Sequence, residues 1–110
     1  MPILVTGSIV VDDEAVSLIR HGSDAPAWRV RWADVTEIAA WKLDVWAFDV
    51  LCIGFRPAGA DEYFYCAEDQ LGWDVLLEEL DRLFGLKLED WWRAVVFPAF
   101  QENFTLLWRR

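Results

Sequence analysis

The residues of this 110-residue chain that could do chemistry are mostly acids, and every other reagent is scarce. His21 is the sole histidine and lies in a polar turn beside Gly22, where a general base would need both a partner and a pocket. A Ser-His-Asp set could only join His21 to Ser8, Ser17 or Ser23, and nothing in the spacing favours it. One histidine and two distant cysteines, Cys52 and Cys66, supply no ligand pair at zinc spacing. Neither a phosphate-cradling glycine loop nor a dinucleotide fingerprint is present. Asp12-Asp13-Glu14 and Glu68-Asp69 could hold Ca²⁺ or Mg²⁺ or form an acid/base pair, but neither follows an EF-hand spacing. A hairpin turn and a helix N-terminus account for them, since the helix dipole favours acids there. The chain thus reads as non-enzymatic, with no catalytic set, metal or cofactor.

Asp49 is a different kind of acid. It shares strand parity with Leu51, Ile53 and Phe55, which points it inward or toward the sheet end. Lys42 sits across the 43–47 connection and is its natural partner. The pair reads as an ion pair fixing that connection. The alternative makes Asp49 the polar centre of a Trp-lined ligand pocket or active site.

Eight tryptophans are the other conspicuous resource. Trp28, Trp32 and Trp73 match core periodicities. Trp41 and Trp46 flank a loop, and Trp91 and Trp92 are adjacent, so both can hardly face one core. An exposed member of either pair would be a good protein-interface anchor. The competing reading buries Trp91 and Trp92 together between the body and the tail.

The elements that must position these groups follow from hydrophobic period. Residues 8–67 read as about six short strands in series, joined by turns and therefore antiparallel. Trp28, Val30 and Trp32 alternate with Arg29 and Arg31, which gives a strand over 27–32 with one wet face. Phe48–Arg56 is apolar on both faces and reads as a central strand. It pairs with Glu62–Cys66 through Pro57-Ala58-Gly59-Ala60, a hairpin that would set Cys52 opposite Cys66, two thiols buried as small hydrophobes. The period then changes. Asp69 is an N-cap, and Trp73, Leu76, Leu77, Leu80, Leu83 and Phe84 recur at helical spacing, which predicts a main helix over 69–84. Asp74, Glu78, Asp81 and Arg82 take its wet face, with Glu78 and Arg82 paired four apart. Gly85 is its cap. A short helix over 88–96 stops before Pro98, and residues 98–110 are apolar enough to dock as a tail. Strands followed by helices make a single α+β domain, with a bent antiparallel sheet or partly open barrel of six or seven strands.

Composition removes whole classes. With 55% hydrophobic residues the chain would collapse, so disorder is excluded. A net charge of -9 opposes binding to nucleic acid through a broad basic surface. The charge is local: residues 61–90 hold ten acids and two bases, a net of -8. No apolar run approaches the roughly 18 residues of a membrane span, and the N-terminus lacks a signal-peptide pattern, so a cytoplasmic location is expected. Acidic neighbours would also be repelled by anionic lipid, which disfavours membrane anchoring through Trp91-Trp92.

One motif, Val30-Arg31-Trp32-Ala33-Asp34-Val35-Thr36-Glu37-Ile38, resembles the strand junction of bacterial pleckstrin-homology-like (PH-like) domains, and the order of elements over residues 8–84 is similar to theirs. The resemblance implies binding of peptides, proteins or lipids rather than catalysis. No binding residue of the family carries over: the first hairpin loop here is Val11-Asp12-Asp13-Glu14, and it lacks the Lys/Arg cluster that recognises lipid phosphate. The expected function is a small protein-binding module, in its specific version an immunity- or inhibitor-type protein. Trp41, Trp46, Trp91 and Trp92 with Asp74, Glu78, Glu79 and Asp81 are the interface candidates, and Asp49 with Lys42 the ligand-pocket candidates. A homodimer through a sheet edge or the Trp91-Trp92 region is a further expectation.

Overall fold

A computed structural model describes residues 7–45, 48–98 and 101–110. In it the chain is α+β. Strands β1 (Gly7–Val11), β2 (Ala15–Arg20) and β3 (Pro26–Arg31) make one antiparallel sheet in that order. The second sheet has the order β6-β5-β4-β7, from β4 (Val35–Val45), β5 (Phe48–Pro57), β6 (Phe64–Ala67) and the C-terminal β7 (Thr105–Arg109). Helices α1 (Trp73–Phe84) and α2 (Leu88–Val96) lie between β6 and β7 in the chain.

The first sheet starts from a side-chain-built turn. The Asp12 carboxylate accepts the Glu14 and Ala15 amides at 2.8 Å each, and these backbone bonds hold its carboxyl below the usual range. The expected strand over 27–32 ends one residue early, because Trp32 is tied back to that turn. Its amide donates to the Glu14 carbonyl at 2.9 Å and its indole N–H to the Asp12 carbonyl at 2.9 Å, and Trp32–Asp34 become a turn of 3₁₀ helix. The chain leaves the sheet there. Two sheets result, not closed into a barrel, in place of one continuous bent sheet. The Trp28 indole, donating to the Tyr65 carbonyl at 3.2 Å, links β3 to β6.

In the second sheet β5 is central, flanked by β6 and β4. The expected 43–47 connection is mostly strand: β4 runs to Val45 and β5 starts at Phe48. Side chains alternate across the sheet. Ile38, Ala40, Leu51, Ile53, Phe55 and Cys66 join one core cluster, and Ala39, Trp41, Val50, Cys52 and Ala67 another. The cysteine expectation is therefore corrected. Phe55 pairs with Phe64, which sets Cys66 against Ile53 and Cys52 against Ala67. This register, one residue from the expected one, sends the two thiols to opposite faces.

The main helix starts later than expected, with Asp69 outside it. Residues 68–72 are used to tie strands together first. The Ala67 amide is accepted by the Gln70 side chain at 2.8 Å, and the Ile9 amide donates to the Leu71 carbonyl at 2.6 Å. Gly72 then turns the chain with φ of 92°, and a side chain there would strike the Ile9 carbonyl oxygen. Leu76 and Leu80 are buried, and Trp73, Leu77, Leu83 and Phe84 pack beside them as the apolar stripe requires. Gly85 ends the helix in the left-handed conformation, φ 68°. Arg82 bonds Glu79 at 2.7 Å and Asp13 at 3.4 Å, and not Glu78 as the four-residue spacing suggested. The docked tail forms a strand: β7 pairs antiparallel with β4, with a register shift at Ile38/Ala39. Both helices and both sheets contribute to the main cluster.

Candidate functional site

At the end of β4 the inner face turns polar. Lys42 stands opposite Leu51, and Asp49 is its diagonal neighbour on β5. The Lys42 ammonium lies 3.3 Å from the Asp49 carboxylate and donates to the carbonyls of Val96 and Pro98 at 2.6 Å each. Its side chain is only 4% exposed, against 15% for Asp49. A buried ammonium needs this much compensation. Asn103, in the left-handed region at φ 51°, adds its amide N–H groups to the carbonyls of Val95 at 3.1 Å and Pro98 at 3.0 Å. The Lys42 backbone amide reaches the Glu102 carbonyl at 2.8 Å. Two side chains from β4 and the tail thus satisfy the carbonyls that every helix leaves open at its C-terminus, and the cation complements the dipole there.

This clamp fixes the orientation of α2. Trp91 turns inward, 7% exposed, and its indole N–H has no acceptor among the described residues. Trp92 turns outward, 39% exposed, with Phe97 beside it at 56%. Their rings meet edge to face at 90°, with centroids 6.0 Å apart. The guanidinium of Arg93 lies 5.7 Å from the centre of the Phe97 ring. Trp92 and Phe97 form the mouth of a cleft of about 280 Å³ whose walls include Lys42, Asp49, Leu51, Glu68 and Val96. Glu68 continues the β5–β6 pairing with both of its ends. Its amide donates to the Leu51 carbonyl at 2.9 Å, and its carboxylate accepts the Leu51 amide at 2.9 Å.

The Lys42–Asp49 pair and Trp92, singled out for different roles in the sequence, thus converge on one cleft. Trp91 lines a different groove, between α2 and β7. Trp41 is buried on the far face of the second sheet, stacked on Phe104 at 5.8 Å and packed on Tyr63 and Tyr65. Trp46 lies outside the described residues. Among the acids of α1, Asp74 and Glu78 are exposed, Glu79 is held below the usual carboxylate range by the Arg82 guanidinium, and Asp81 meets Lys87 at 3.3 Å. Sequence reading took Glu68 as a carboxylate of a helix N-terminus and did not place it in this site, and it missed Phe97 and Asn103 there. Phe97, next to a helix-ending proline and beyond the apolar stripe, was the readable signal. Asn103 bonds carbonyls only five and eight residues back in the chain.

The remaining reagents stay apart. His21 is exposed in its turn, and no group of three metal-ligating side chains occurs among the described residues. Burial pushes the Cys52 thiol up to about 12 and the Cys66 thiol higher still, so neither is a thiolate at neutral pH. No described helix is long and apolar enough to cross a membrane. What the cleft brings together is two exposed aromatic rings, a compensated ion pair and a carboxylate. No protein-family model, no curated protein and no solved structure matches the chain.

Proposed function

We propose that this is a non-catalytic, PH-like binding module of the bacterial cytoplasm that docks a basic protein surface, in the manner of an immunity or inhibitor protein. The observation that carries the reading is the exposed Trp92–Phe97 pair. Most other aromatic rings pack into the two core clusters, whereas this pair stands at a cleft mouth held by the Lys42 clamp. Desolvated aromatic anchors of this kind carry much of the energy of protein interfaces. Charge supports the sign of the partner: the 61–90 segment is acidic, and Asp74 and Glu78 have no ion pair among the described residues. The PH-like reading draws support from the position of the Val30–Ile38 motif at the crossing between the two sheets, and from the amphipathic α1 that follows the strands. The β7 strand departs from that pattern.

The test is capture from cells at low and high salt, followed by reconstitution with the purified partner. Trp92→Ala together with Phe97→Ala should abolish the reconstituted complex while leaving unfolding unchanged. A partner held equally well by the double variant would overturn the reading. A second reading, a small ligand bound at Asp49, rests on the concavity of the same cleft. Asp49→Asn should then remove the ligand-induced change in tryptophan fluorescence.

A further inference from the structure

We infer that the Trp92–Phe97 cleft seats one arginine side chain of the partner, and this rests on the protein-binding reading above. The chemistry of the walls selects the occupant. The floor cation is already spent: the Lys42 ammonium faces the carbonyls of Val96 and Pro98 and the Asp49 carboxylate. The wall charge left over is that of Glu68. One of its oxygens accepts the Leu51 amide, and the other carries no bond among the described residues. An apolar side chain entering the cleft would strip water from that oxygen and return nothing, a loss that buried polar groups punish. An acidic side chain would be repelled. A cation is required.

The mouth distinguishes between cations. A guanidinium is planar, weakly hydrated, stacks on aromatic faces and presents a fork of donors to a carboxylate, whereas an ammonium is a compact and strongly hydrated charge. The molecule already makes one such contact, with the Arg93 guanidinium on the Phe97 ring. That leaves the half-exposed Trp92 as the open platform. A second arginine laid on Trp92 brings its donors toward Glu68, and its stem covers Phe97. The acidity of the 61–90 segment, which includes Glu68 itself, favours the approach of a basic strand or loop.

Other candidates carry less. The groove between α2 and β7 adjoins an edge strand, but the register shift in that strand is a device that blunts edge pairing. The cleft at Thr36, Glu37, Arg56, Arg109 and Arg110 has its central carboxylate already occupied by Arg56 and Tyr63.

The experiment is an NMR titration of the full chain, labelled at its indole and backbone nitrogens, with a blocked glycine peptide containing one arginine. Trp92→Phe assigns the Trp92 indole signal. The arginine peptide should shift that signal and the Leu51 amide saturably at millimolar concentration. Its citrulline analogue, which keeps the shape and loses the charge, should bind on the order of tenfold more weakly. Glu68→Gln keeps an acceptor for Leu51 and should weaken the arginine peptide by a similar factor, while Glu78→Gln should change nothing. Equal binding of arginine and citrulline peptides, indifference to Glu68→Gln, or shifts mapping to α1 in place of the cleft would each overturn the inference. Shifts on α1 alone would leave the basic-partner reading standing. That reading falls separately, if the double variant Trp92→Ala/Phe97→Ala retains the reconstituted complex.

Discussion

The two faces of β5 are both apolar, yet they are covered by different means. On the inner face Leu51, Ile53 and Phe55 lie in a cluster that draws on both helices and the first sheet. On the outer face Val50 and Cys52 are almost fully buried, and among the described residues the neighbours grouped with them are side chains of their own sheet and its flanks: Ala39, Trp41, Ala67, Leu43, Tyr63 and Tyr65. Phe104, just before β7, stacks on Trp41 while half of it stays in solvent. Among the described residues the rings of Trp41, Tyr63, Tyr65 and Phe104 cover this face. The difference is in cooperativity. The inner face can open only by separating whole elements, whereas the outer face can open one ring at a time.

Phe55→Ala and Phe104→Ala measure that difference most directly. Phe55 is fully buried, with the Trp28 and Trp32 rings at 6.2 and 5.7 Å, so its loss should cost about 4 kcal/mol by denaturant unfolding. Phe104 loses only a half-covered ring, for about 1 kcal/mol. Equal losses would mean that the outer rings are as much a core as the inner ones. Gly54→Ala lies between the two. A methyl there would strike the Trp41 indole, which lies across the glycine, and overpacking should cost about 2 kcal/mol. The near-ultraviolet dichroism of Trp41 should change with it. An unchanged spectrum with unchanged stability would show that the indole moves aside at no cost.

Much of this division was readable in the sequence, and its limits are physical. The continuous apolar run of Phe48–Arg56 announces a strand buried on both faces, and the Trp73–Phe84 spacing announces the helix that covers one of them. The covering of the other face is not local information. Tyr63, Tyr65 and Phe104 reach Trp41 only after hairpin register and tail docking are settled. The cysteines failed for the same reason, since a one-residue error in a turn exchanges the faces of a strand. At the site, Lys42 and Asp49 stood out as a charged pair across a connection, and Trp92 as half of a doubled aromatic. Glu68 stood out only as a carboxylate at a helix start, because the Leu51 amide it accepts lies 17 residues away in the chain. The helix start failed because Leu71 and Gly72 serve a contact with β1, which outweighs the local preference for Asp69 as a cap.

The two cysteines report the two faces independently. Cys52 lies under the outer rings and Cys66 in the inner cluster, both without exposed surface to speak of. With both thiols pushed up by burial, native labelling at mildly alkaline pH should proceed only through opening. Cys52 should label on the order of tenfold faster than Cys66, through local loss of the outer rings. Phe104→Ala should accelerate Cys52 alone. Coincident rates for both thiols would mean that the two faces open together as one unit.

The smallest effect concerns the rim of the outer face, where Tyr63 donates its hydroxyl to Glu37 at 2.7 Å. The Arg56 guanidinium, and after it the Tyr63 hydroxyl, hold the Glu37 carboxyl below its ordinary value of 4.5. A carboxyl depressed in the folded state stabilises the fold fully above its unfolded value, and that contribution fades as pH falls through the lowered folded value. Stability should thus begin to erode below about pH 4.5, and the difference between the wild type and Glu37→Gln should shrink in that same range, isolating Glu37 from the other acids. Protonated Glu37 no longer holds Arg56 as an ion pair, and its bond to Tyr63 weakens. The ring signals of Tyr63 and Phe104 should therefore move in step, since these rings meet edge to face at 5.7 Å, while those of Phe84, packed on Trp32 and Trp108 in the inner cluster, stay in place. Movement of the Phe84 signals at the same pH would tie the two faces into one cooperative unit and remove the distinction between them.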